Sequence, residues 1–429
     1  MIRIGLLGCG TVGSGVVKLL EQNKDIIANR AGETVVLHKV LERDVEKCYQ
    51  LGIPAEKIAQ DIDDILNDEE IDIVVELIGG LEPAFSYVIG AINRGKHVVS
   101  ANKDLIAVKG REIFKAAEEN NVDFYYEASV GGGIPIIYPL KQSLAANRIK
   151  EVIGILNGTT NYMLTKMTRE GLSYEQVLKE AQELGYAEAD PTSDVEGLDA
   201  ARKIAILSSI AFNSRITLDD VYVEGITGIT PADINYAAEL GYVIKLLAVA
   251  KQDDEGNVEV RVNPAFIPVS HPLAGVNDVF NAVFVKGDAV GDVMHYGKGA
   301  GQMPTASAVV GDIIEIVRNM RCGSNGRIGC TCYDEKRVLK VDDMKARFYI
   351  RMTVVDRPGV LAGIAGVFGN NNVSIAAVLQ KEGEDMAELI LITHEVRERD
   401  LRKSLDEVKT LDTVGSINNI IRLEGLDKQ

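Results

Sequence analysis

The chain has 429 residues, 46% of them hydrophobic and 25% charged, which is enough for two or three domains with substantial cores. Its formal net charge of −17 argues against a general affinity for nucleic acid or for anionic membranes. No apolar run is long enough to span a bilayer, and five cysteines, none of them between Cys48 and Cys322, do not suggest a disulfide framework, so we expect a cytoplasmic protein.

Residues 1–130 alternate short apolar segments with amphipathic ones. Such alternation predicts an α/β domain of the Rossmann type, a doubly wound parallel sheet with helices on both faces. The expected strands are residues 2–7, 34–41, 71–78, 97–100 and 122–126, and the expected helices include residues 14–22, 84–93 and 110–120.

A glycine-rich turn follows the first expected strand and opens the first helix. Gly8, Gly10 and Gly13 have the spacing of a dinucleotide-binding turn, in which the second glycine lets the backbone approach a pyrophosphate and the third allows close helix packing. Thr11 and Val12 lie at the helix N-terminus, where free N–H groups can bind phosphate. We therefore predict a nicotinamide dinucleotide site, the alternative being a glycine turn without a ligand.

The residues after the second strand leave the choice of cofactor open. Glu42 would hydrogen-bond the ribose 2′-hydroxyl of NAD, whereas Arg43 would favour the 2′-phosphate of NADP. Because both residues are present, the sequence does not separate NADP from NAD.

Two further motifs lie at the ends of expected strands. Ser100–Lys103 ends the fourth strand at the edge where open α/β sheets bind ligands, which favours a functional role for Lys103 over that of a solvated surface residue. Asn157–Thr160 ends a strand and begins a helix, a position suited either to a substrate carboxylate or phosphate or to an ordinary helix cap. The glycines before Ile134 mark the change to a second, mixed α/β domain over residues 131–302.

The most informative segment is GYAEADPTSDVEGLDAARK, which places five carboxylates in front of Lys203. Ser193 and Glu196 form a capping-box pattern, so we expect a helix to begin near Asp194. On that helix Asp199 and Lys203 would lie on the same face, and the residues of that face in the following turns are apolar. We interpret them as a pair that faces a protein cleft and is suited to proton transfer; the alternative is a surface ion pair at i, i+4 spacing.

The last third of the chain has three predicted parts. A helix over residues 303–320 is expected to pack back on the first domain, and residues 321–346 form a linker that contains the last three cysteines in a spacing that fits no zinc pattern. From residue 347 the order is strand, helix, strand, strand, helix, strand, which predicts a ferredoxin-like domain over residues 347–425.

In order and spacing, these motifs resemble the homoserine dehydrogenases over residues 1–320, and the tail from residue 347 resembles an ACT domain, a small amino-acid-sensing module. The segment that ends at Lys203 is the most specific part of the resemblance. It implies an NADP- or NAD-dependent oxidoreductase whose middle domain is catalytic and forms the contacts of a homodimer or homotetramer.

The resemblance also implies roles for individual residues. Lys203 would donate a proton to the developing alkoxide, Asp199 would orient it or bind substrate, and Lys103 would lie close to the reacting carbonyl. Glu188 would hold the substrate ammonium group, and Thr159 would help to hold the substrate.

Further roles concern the cofactor and a metal ion. By the same resemblance, Gly185 and Gly301 would border the cofactor. A monovalent cation, Na⁺, would be bound by Glu127 and by the backbone carbonyls of Val130, Gly132 and Ile134.

The expected reaction is hydride transfer between L-homoserine and L-aspartate 4-semialdehyde in threonine, methionine and isoleucine biosynthesis, with small molecules rather than nucleic acid or membranes as partners. The tail would supply feedback control with L-threonine as effector, or it would be a structural module without a ligand. Two rival functions remain. An aspartate-semialdehyde dehydrogenase needs a cysteine nucleophile, which residues 49–321 lack; a non-catalytic nucleotide and amino-acid sensor needs no buried Asp199 and Lys203.

Overall fold

The computed structural model describes residues 1–425 except residues 382 and 384, and the chain divides into two compact units. Unit 1 comprises residues 1–152, 202–218 and 281–335, whereas unit 2 comprises residues 153–201 and 219–280 and the chain from residue 336. The domains predicted from the sequence are consecutive segments of the chain, whereas each unit combines separate segments. The predicted domain bounds therefore stay predictions.

Strands and helices alternate through both units. The strands are β1 Ile2–Leu7, β2 Val35–Leu41, β3 Ile73–Glu76, β4 His97–Ser100, β5 Phe124–Tyr125, β6 Ile149–Ile155, β7 Tyr222–Val223, β8 Tyr242–Gln252, β9 Val258–Pro268, β10 Phe280–Gly287, β11 Gly291–Lys298, β12 Lys345–Val355, β13 Ile375–Lys381, β14 Met386–Thr393, β15 Val396–Arg397 and β16 Val414–Leu423. The helices are α1 Thr11–Gln22, α2 Lys24–Ala31, α3 Val45–Gln50, α4 Asp63–Leu66, α5 Ala84–Ile92, α6 Lys103–Glu119, α7 Gly158–Glu170, α8 Tyr174–Glu183, α9 Thr192–Val195, α10 Leu198–Ala211, α11 Pro231–Glu239, α12 Gln302–Cys322, α13 Val360–Asn370 and α14 Glu398–Val408.

Unit 1 contains a five-stranded parallel sheet in the order β2-β1-β3-β4-β5. Its strands are almost wholly apolar because helices cover both faces. Helix α12 packs in the same core as α1, with Val309 and Ile313 in one cluster with Val16. The two helices can approach closely because Gly15 has no Cβ. A Cβ there would lie 2.6 Å from the carbonyl oxygen of Gln302.

Unit 2 contains a mixed sheet in the order β8-β9-β16-β12-β14-β13. Strands β12, β13, β14 and β16 with helices α13 and α14 have the expected ferredoxin-like order, and their core includes Phe348, Ile364, Phe368 and Leu405. Strand β16 lies parallel to β9, so this ferredoxin-like part continues the sheet of β8 and β9. The predicted fold class is confirmed.

Buried ion pairs hold the ferredoxin-like part against the rest of unit 2. Asp233 of α11 is fully buried and accepts a hydrogen bond from Arg351 Nε of β12 at 2.8 Å. Glu424, after β16, contacts the buried guanidinium of Arg261 in β9. Each charge is paired, as burial requires.

One helix boundary was wrong. The helix that carries Asp199 and Lys203 begins at Leu198, not near Asp194. Residues 192–195 form the short separate helix α9, and Gly197, with a φ of +81°, interrupts the chain between the two. A Cβ at that position would also lie 3.0 Å from Val262, so the break depends on glycine.

Among the described residues, no helix combines the length and the apolar character that a bilayer span requires.

Candidate active site

The glycine-rich turn of unit 1 has the backbone that a dinucleotide needs. Gly8 has a φ of +96°, and a Cβ on Gly13 would lie 2.1 Å from the Gly8 carbonyl oxygen, whereas Gly10 faces open space. Gly10 is the N-cap of α1 and offers no side chain to the N–H groups of the first turn, which includes Thr11 and Val12. The turn therefore leaves both room and donors for a pyrophosphate.

Other predicted cofactor residues of unit 1 lie beside this turn. The carboxylate of Glu42 accepts a hydrogen bond from the N–H of Cys9, inside the turn, at 2.6 Å. A carboxylate has further lone pairs, so Glu42 can still accept a ribose hydroxyl, while Arg43 is exposed next to it. Gly301, with a φ of +123°, begins α12, whose Gln302 donates to a side chain of α1 at 2.8 Å.

A buried carboxylate organises the ends of β3 and β4. Glu76 is fully buried and accepts a hydrogen bond from Ser100 Oγ at 2.6 Å, and also two from backbone N–H groups of the loop that follows β3. Asn102 caps α6 by accepting from the N–H of Leu105. Lys103 is the first residue of α6 and half-buried. These hydrogen bonds at the strand ends thus fix the backbone position from which the Lys103 side chain extends.

The Glu127 carboxylate is occupied by backbone donors. It accepts hydrogen bonds from the N–H groups of Ile136, Ile137 and Tyr138, at 2.5, 2.9 and 2.7 Å. Burial raises the pKa of this carboxyl above its ordinary value, although the three donors oppose the shift. The carboxylate therefore holds the loop together, and a cation bound by Glu127 would share this carboxylate with the three backbone donors.

The backbone of the same loop fits a cation better. Within the described residues, the carbonyl oxygens of the buried residues Val130, Gly132 and Ile134 accept no hydrogen bond. Gly132 has a φ of +55°, and a Cβ there would lie 2.4 Å from the Gly299 carbonyl oxygen, so the turn depends on glycine. Unpartnered buried carbonyls are the hard oxygen ligands that Na⁺ takes.

In unit 2, one asparagine connects two carboxylates. Asn157 is buried, and its Nδ2 donates to Asp194 at 2.7 Å and to Asp199 at 2.9 Å. Its Oδ1 accepts from the N–H and the hydroxyl of Thr160, both at 2.9 Å, and so caps α7. Asn157 is therefore both a helix cap and the donor that holds Asp199, which is only 6% exposed.

Helix α10 carries Asp199 and Lys203 and has no exposed residue. Lys203 is half-buried. Next to it, Arg202 forms an ion pair with Asp104 at 2.6 Å within unit 1. Since Asp104 follows Lys103, this ion pair brings the segments that carry Lys103 and Lys203 together.

Thr159, Gly185 and Glu188 lie around one loop of unit 2. The Thr159 hydroxyl donates to the carbonyl oxygen of Tyr186 at 2.7 Å. Gly185, with a φ of +74°, follows α8, and Glu188 is exposed three residues later. Unit 2 therefore places Thr159 beside this loop, and the Asn157 contact lies at the start of the same helix α7.

Comparison with known proteins decides the family. A family model described as "Homoserine dehydrogenase" matches residues 135–314, its "NAD binding domain" matches residues 8–127, and an ACT domain model matches residues 348–413. The chain is also 45% identical over 427 residues to a homoserine dehydrogenase of Bacillus subtilis, which covers 99% of this chain and 98% of that protein. The chain belongs to the homoserine dehydrogenase family.

Solved homoserine dehydrogenases support this assignment. The crystal structure of the enzyme from Thiobacillus denitrificans matches with a TM-score of 0.94 and 44% identity over 99% of this chain and 98% of that one. A hyperthermophilic archaeal homoserine dehydrogenase, solved in complex with NADPH, matches 73% of this chain and 97% of its own, with a TM-score of 0.63 and 26% identity. The predicted family, the NAD-binding domain and the ACT domain are confirmed.

Sequence reasoning missed two residues that organise this family's site in the chain. Glu76 is the last residue of an apolar strand, and a single carboxylate there forms no motif that sequence analysis could recognise. Asn157 was noted only as part of a motif, because its contact with Asp199 spans 42 residues. Both are polar residues at the end of an apolar strand, which is the signal that they share.

Proposed function

We propose that the chain catalyses reversible hydride transfer between L-homoserine and L-aspartate 4-semialdehyde, with a nicotinamide dinucleotide, in threonine, methionine and isoleucine biosynthesis. The observation that carries the proposal is the family likeness along nearly the whole chain. The glycine-rich turn and the shielded helix α10 are the local features that support it.

In this proposal Lys203 donates the proton. The nicotinamide, when bound, supplies or accepts the hydride. Lys203 protonates the carbonyl oxygen of the substrate, and its ammonium charge stabilises the oxygen as negative charge develops. Asp199, held by Asn157, orients this ammonium group, and Lys103 adds a second positive charge near the carbonyl.

The substrate is a zwitterionic amino acid and needs a partner for each charge. Glu188, exposed on the loop after α8, binds the ammonium group. Thr159 helps to hold the substrate from the start of α7, where free N–H groups favour a carboxylate. Gly185 borders the cofactor on the same loop.

The proposed cofactor is NADP or NAD. Support for NADP comes from the relative solved with NADPH, and support for NAD comes from the carboxylate of Glu42 beside the turn. A Na⁺ ion would be held by the carbonyl oxygens of Val130, Gly132 and Ile134, and it would rigidify the loop that leads from the nucleotide fold.

We also propose control by L-threonine through the ACT domain, and a homodimer or homotetramer. The turn before α13 supports an effector site, because Gly359, with a φ of +91°, caps this helix without a side chain and leaves its N–H groups to an effector carboxylate. Because β16 pairs with β9, an effector-induced change would act directly on the sheet of unit 2.

The reaction is tested by following the near-ultraviolet absorbance of the reduced nicotinamide, with homoserine and each cofactor in turn. Lys203→Ala is expected to lower kcat by roughly 10²–10⁴-fold with unchanged cofactor binding. The exposed Lys179→Ala is the control and should retain full activity. Near-normal turnover of Lys203→Ala would remove Lys203 from the mechanism.

The same assay separates the rival functions. Activity only with aspartate 4-semialdehyde and phosphate would indicate an aspartate-semialdehyde dehydrogenase, and cofactor binding without turnover would indicate a sensor. Calorimetric titration with L-threonine and related amino acids tests the effector, since no heat from any of them would leave the ACT domain a structural module.

A further inference from the structure

Two of the late cysteines lie together on a folded segment of unit 1. The Sγ of Cys332 is 3.8 Å from the carbonyl oxygen of Ser209 in α10, and Thr331 O accepts the N–H of Tyr333 at 3.0 Å, which makes a tight turn centred on Cys332. Cys330 and Cys332 are two residues apart and line the same cleft. This segment is therefore part of the folded unit, although it was expected to be a linker.

Two positively charged side chains lie close to the segment that carries Cys330. Lys141 donates to the carbonyl oxygen of Gly329 at 3.0 Å, and Arg215 lines the same cleft as both cysteines. Burial lowers the pKa of Lys141 to about 8, so this lysine is still mostly protonated at neutral pH. The hydrogen bond from Cys332, together with Arg215 and Lys141, lowers the pKa of the Cys330 thiol, while the same hydrogen bond raises the pKa of Cys332.

The chain contains a second thiol pair with the opposite surroundings. Cys9 and Cys48 are both buried and belong to the same hydrophobic core cluster. Burial raises the pKa of Cys9 to about 12, and Glu42 adds to the shift. Since the thiolate is the reactive form, this pair is inert and serves as an internal reference.

The charges argue against a metal at the Cys330 pair. Two cations beside two thiols would repel a bound metal ion. Among the described residues, the group with three candidate ligands within reach of one ion is elsewhere, at His38, Asp68 and Glu70, where Lys39 already pairs with Asp68 at 3.0 Å. An exposed thiol with two cationic side chains nearby is instead suited to attack an electrophile as a thiolate.

We propose that Cys330 and Cys332 form an oxidant-reactive dithiol whose substrate is a hydroperoxide. The Cys330 thiolate attacks one peroxide oxygen, the O–O bond breaks, and the other oxygen leaves as alkoxide or hydroxide and takes up a proton. Cys330 is then a sulfenic acid. The Cys332 sulfur attacks the Cys330 sulfur, the S–O bond breaks, and hydroxide leaves with the Cys332 proton as water. Two electrons pass from the two thiols to the peroxide, and a disulfide remains.

The spacing permits this bond. Residues two apart in a chain are at most about 7 Å apart between Cα atoms, and disulfides span roughly 4.4–6.8 Å. Forming the disulfide withdraws the Cys332 thiol from Ser209, which lies on the same helix as Lys203. Oxidation is therefore expected to alter a packing contact of the helix that carries the proposed proton donor.

The first test uses the unmodified full chain. Alkylation with iodoacetamide across a pH series, read by peptide mass spectrometry, should modify Cys330 well below the ordinary thiol pKa of about 8.5, while Cys9 and Cys48 stay protected. An alkylation profile of Cys330 centred on the ordinary value, or faster labelling of Cys9, would overturn the proposal.

The second test follows oxidation by hydrogen peroxide. The peptide that contains both residues should lose two hydrogens in the wild type, Cys332→Ser should stop at a sulfenic acid that dimedone traps, and Cys330→Ser should not react. Cys322→Ser, which removes an exposed cysteine of the same region, is the control and should react like the wild type. Equal peroxide consumption by Cys330→Ser and the wild type would overturn the proposal.

Discussion

The contact between Asn157 and Asp199 is the sharpest place to perturb the site. Asn157→Ala removes the Nδ2 donor of two carboxylates, at 2.7 and 2.9 Å, and the cap of α7. A hydrogen bond to a charged group contributes about 1.5–3 kcal/mol, and a cap about 1 kcal/mol. If only the bond to Asp199 affects the transition state, kcat/KM should fall roughly 10- to 100-fold. The bond to Asp194 and the cap should appear as lower thermal stability.

The assay compares variants of two asparagines on the same helix. Asn161 is also buried, and its Nδ2 donates to backbone carbonyls of residues 276, 278 and 280 rather than to a carboxylate. Asn161→Ala should therefore lose stability but keep its kcat/KM. Asn157→Asp keeps an acceptor for the cap but places a third carboxylate beside Asp194 and Asp199, so it should lose activity with less loss of helix stability.

A parallel fall of kcat/KM in both alanine variants would refute this argument. It would mean that the loss follows from general destabilisation of α7. Full activity of Asn157→Asp would refute it as well, because Asp199 would then need no neutral donor.

Two further predictions concern buried charges in unit 2. Asp233→Ala removes the buried carboxylate partner of Arg351 and leaves only the more exposed Glu388, so it should cost about 3–5 kcal/mol of stability. Lys381→Met breaks an exposed ion pair with Glu239 and a cation–π contact with Tyr236, and should change stability by less than about 2 kcal/mol, so equal shifts in thermal denaturation would contradict the reasoning. Burial opposes ionisation of Glu424, but Arg261 lowers its pKa from 4.5 to about 2, so its stabilising effect is present above pH 4.5 and is lost as the pH falls toward 2. Glu424→Gln should lose less stability than the wild type across that window, as followed by circular dichroism during acid titration, and identical profiles would contradict the assignment.

The sequence predicted the fold well where the periodicity is clear. The strands expected over residues 2–7 and 97–100 are present as β1 and β4, and the ferredoxin-like order of the tail is confirmed. The break at Gly197 was missed because a glycine in a helical pattern is usually tolerated, and only the position of Val262 shows that no Cβ fits. Boundaries depend on tertiary contacts that local patterns do not contain.

The motifs of the candidate site could be predicted from the sequence, but the contacts of its side chains could not. The glycine turn follows from local spacing, so its geometry could be expected. The link from Glu42 to Cys9 spans 33 residues, and the contacts of the Glu127 carboxylate depend on how the loop that follows it folds back. The family resemblance implied Glu127 as part of a metal site, which stays a prediction; its backbone donors add a structural role that the resemblance did not show.

The pairing of β9 with two strands has a consequence for the evolution of chains with this domain combination. One edge of β9 is shared by β7, at residues 261–262, and by β16, at residues 265–266. A polypeptide that ended before β12 would lose the second neighbour and also Glu424, the counter-charge of Arg261. Gaining or losing the ACT domain by gene fusion would therefore require new residues along that edge, so the ACT domain and the sheet that it continues are constrained to evolve together.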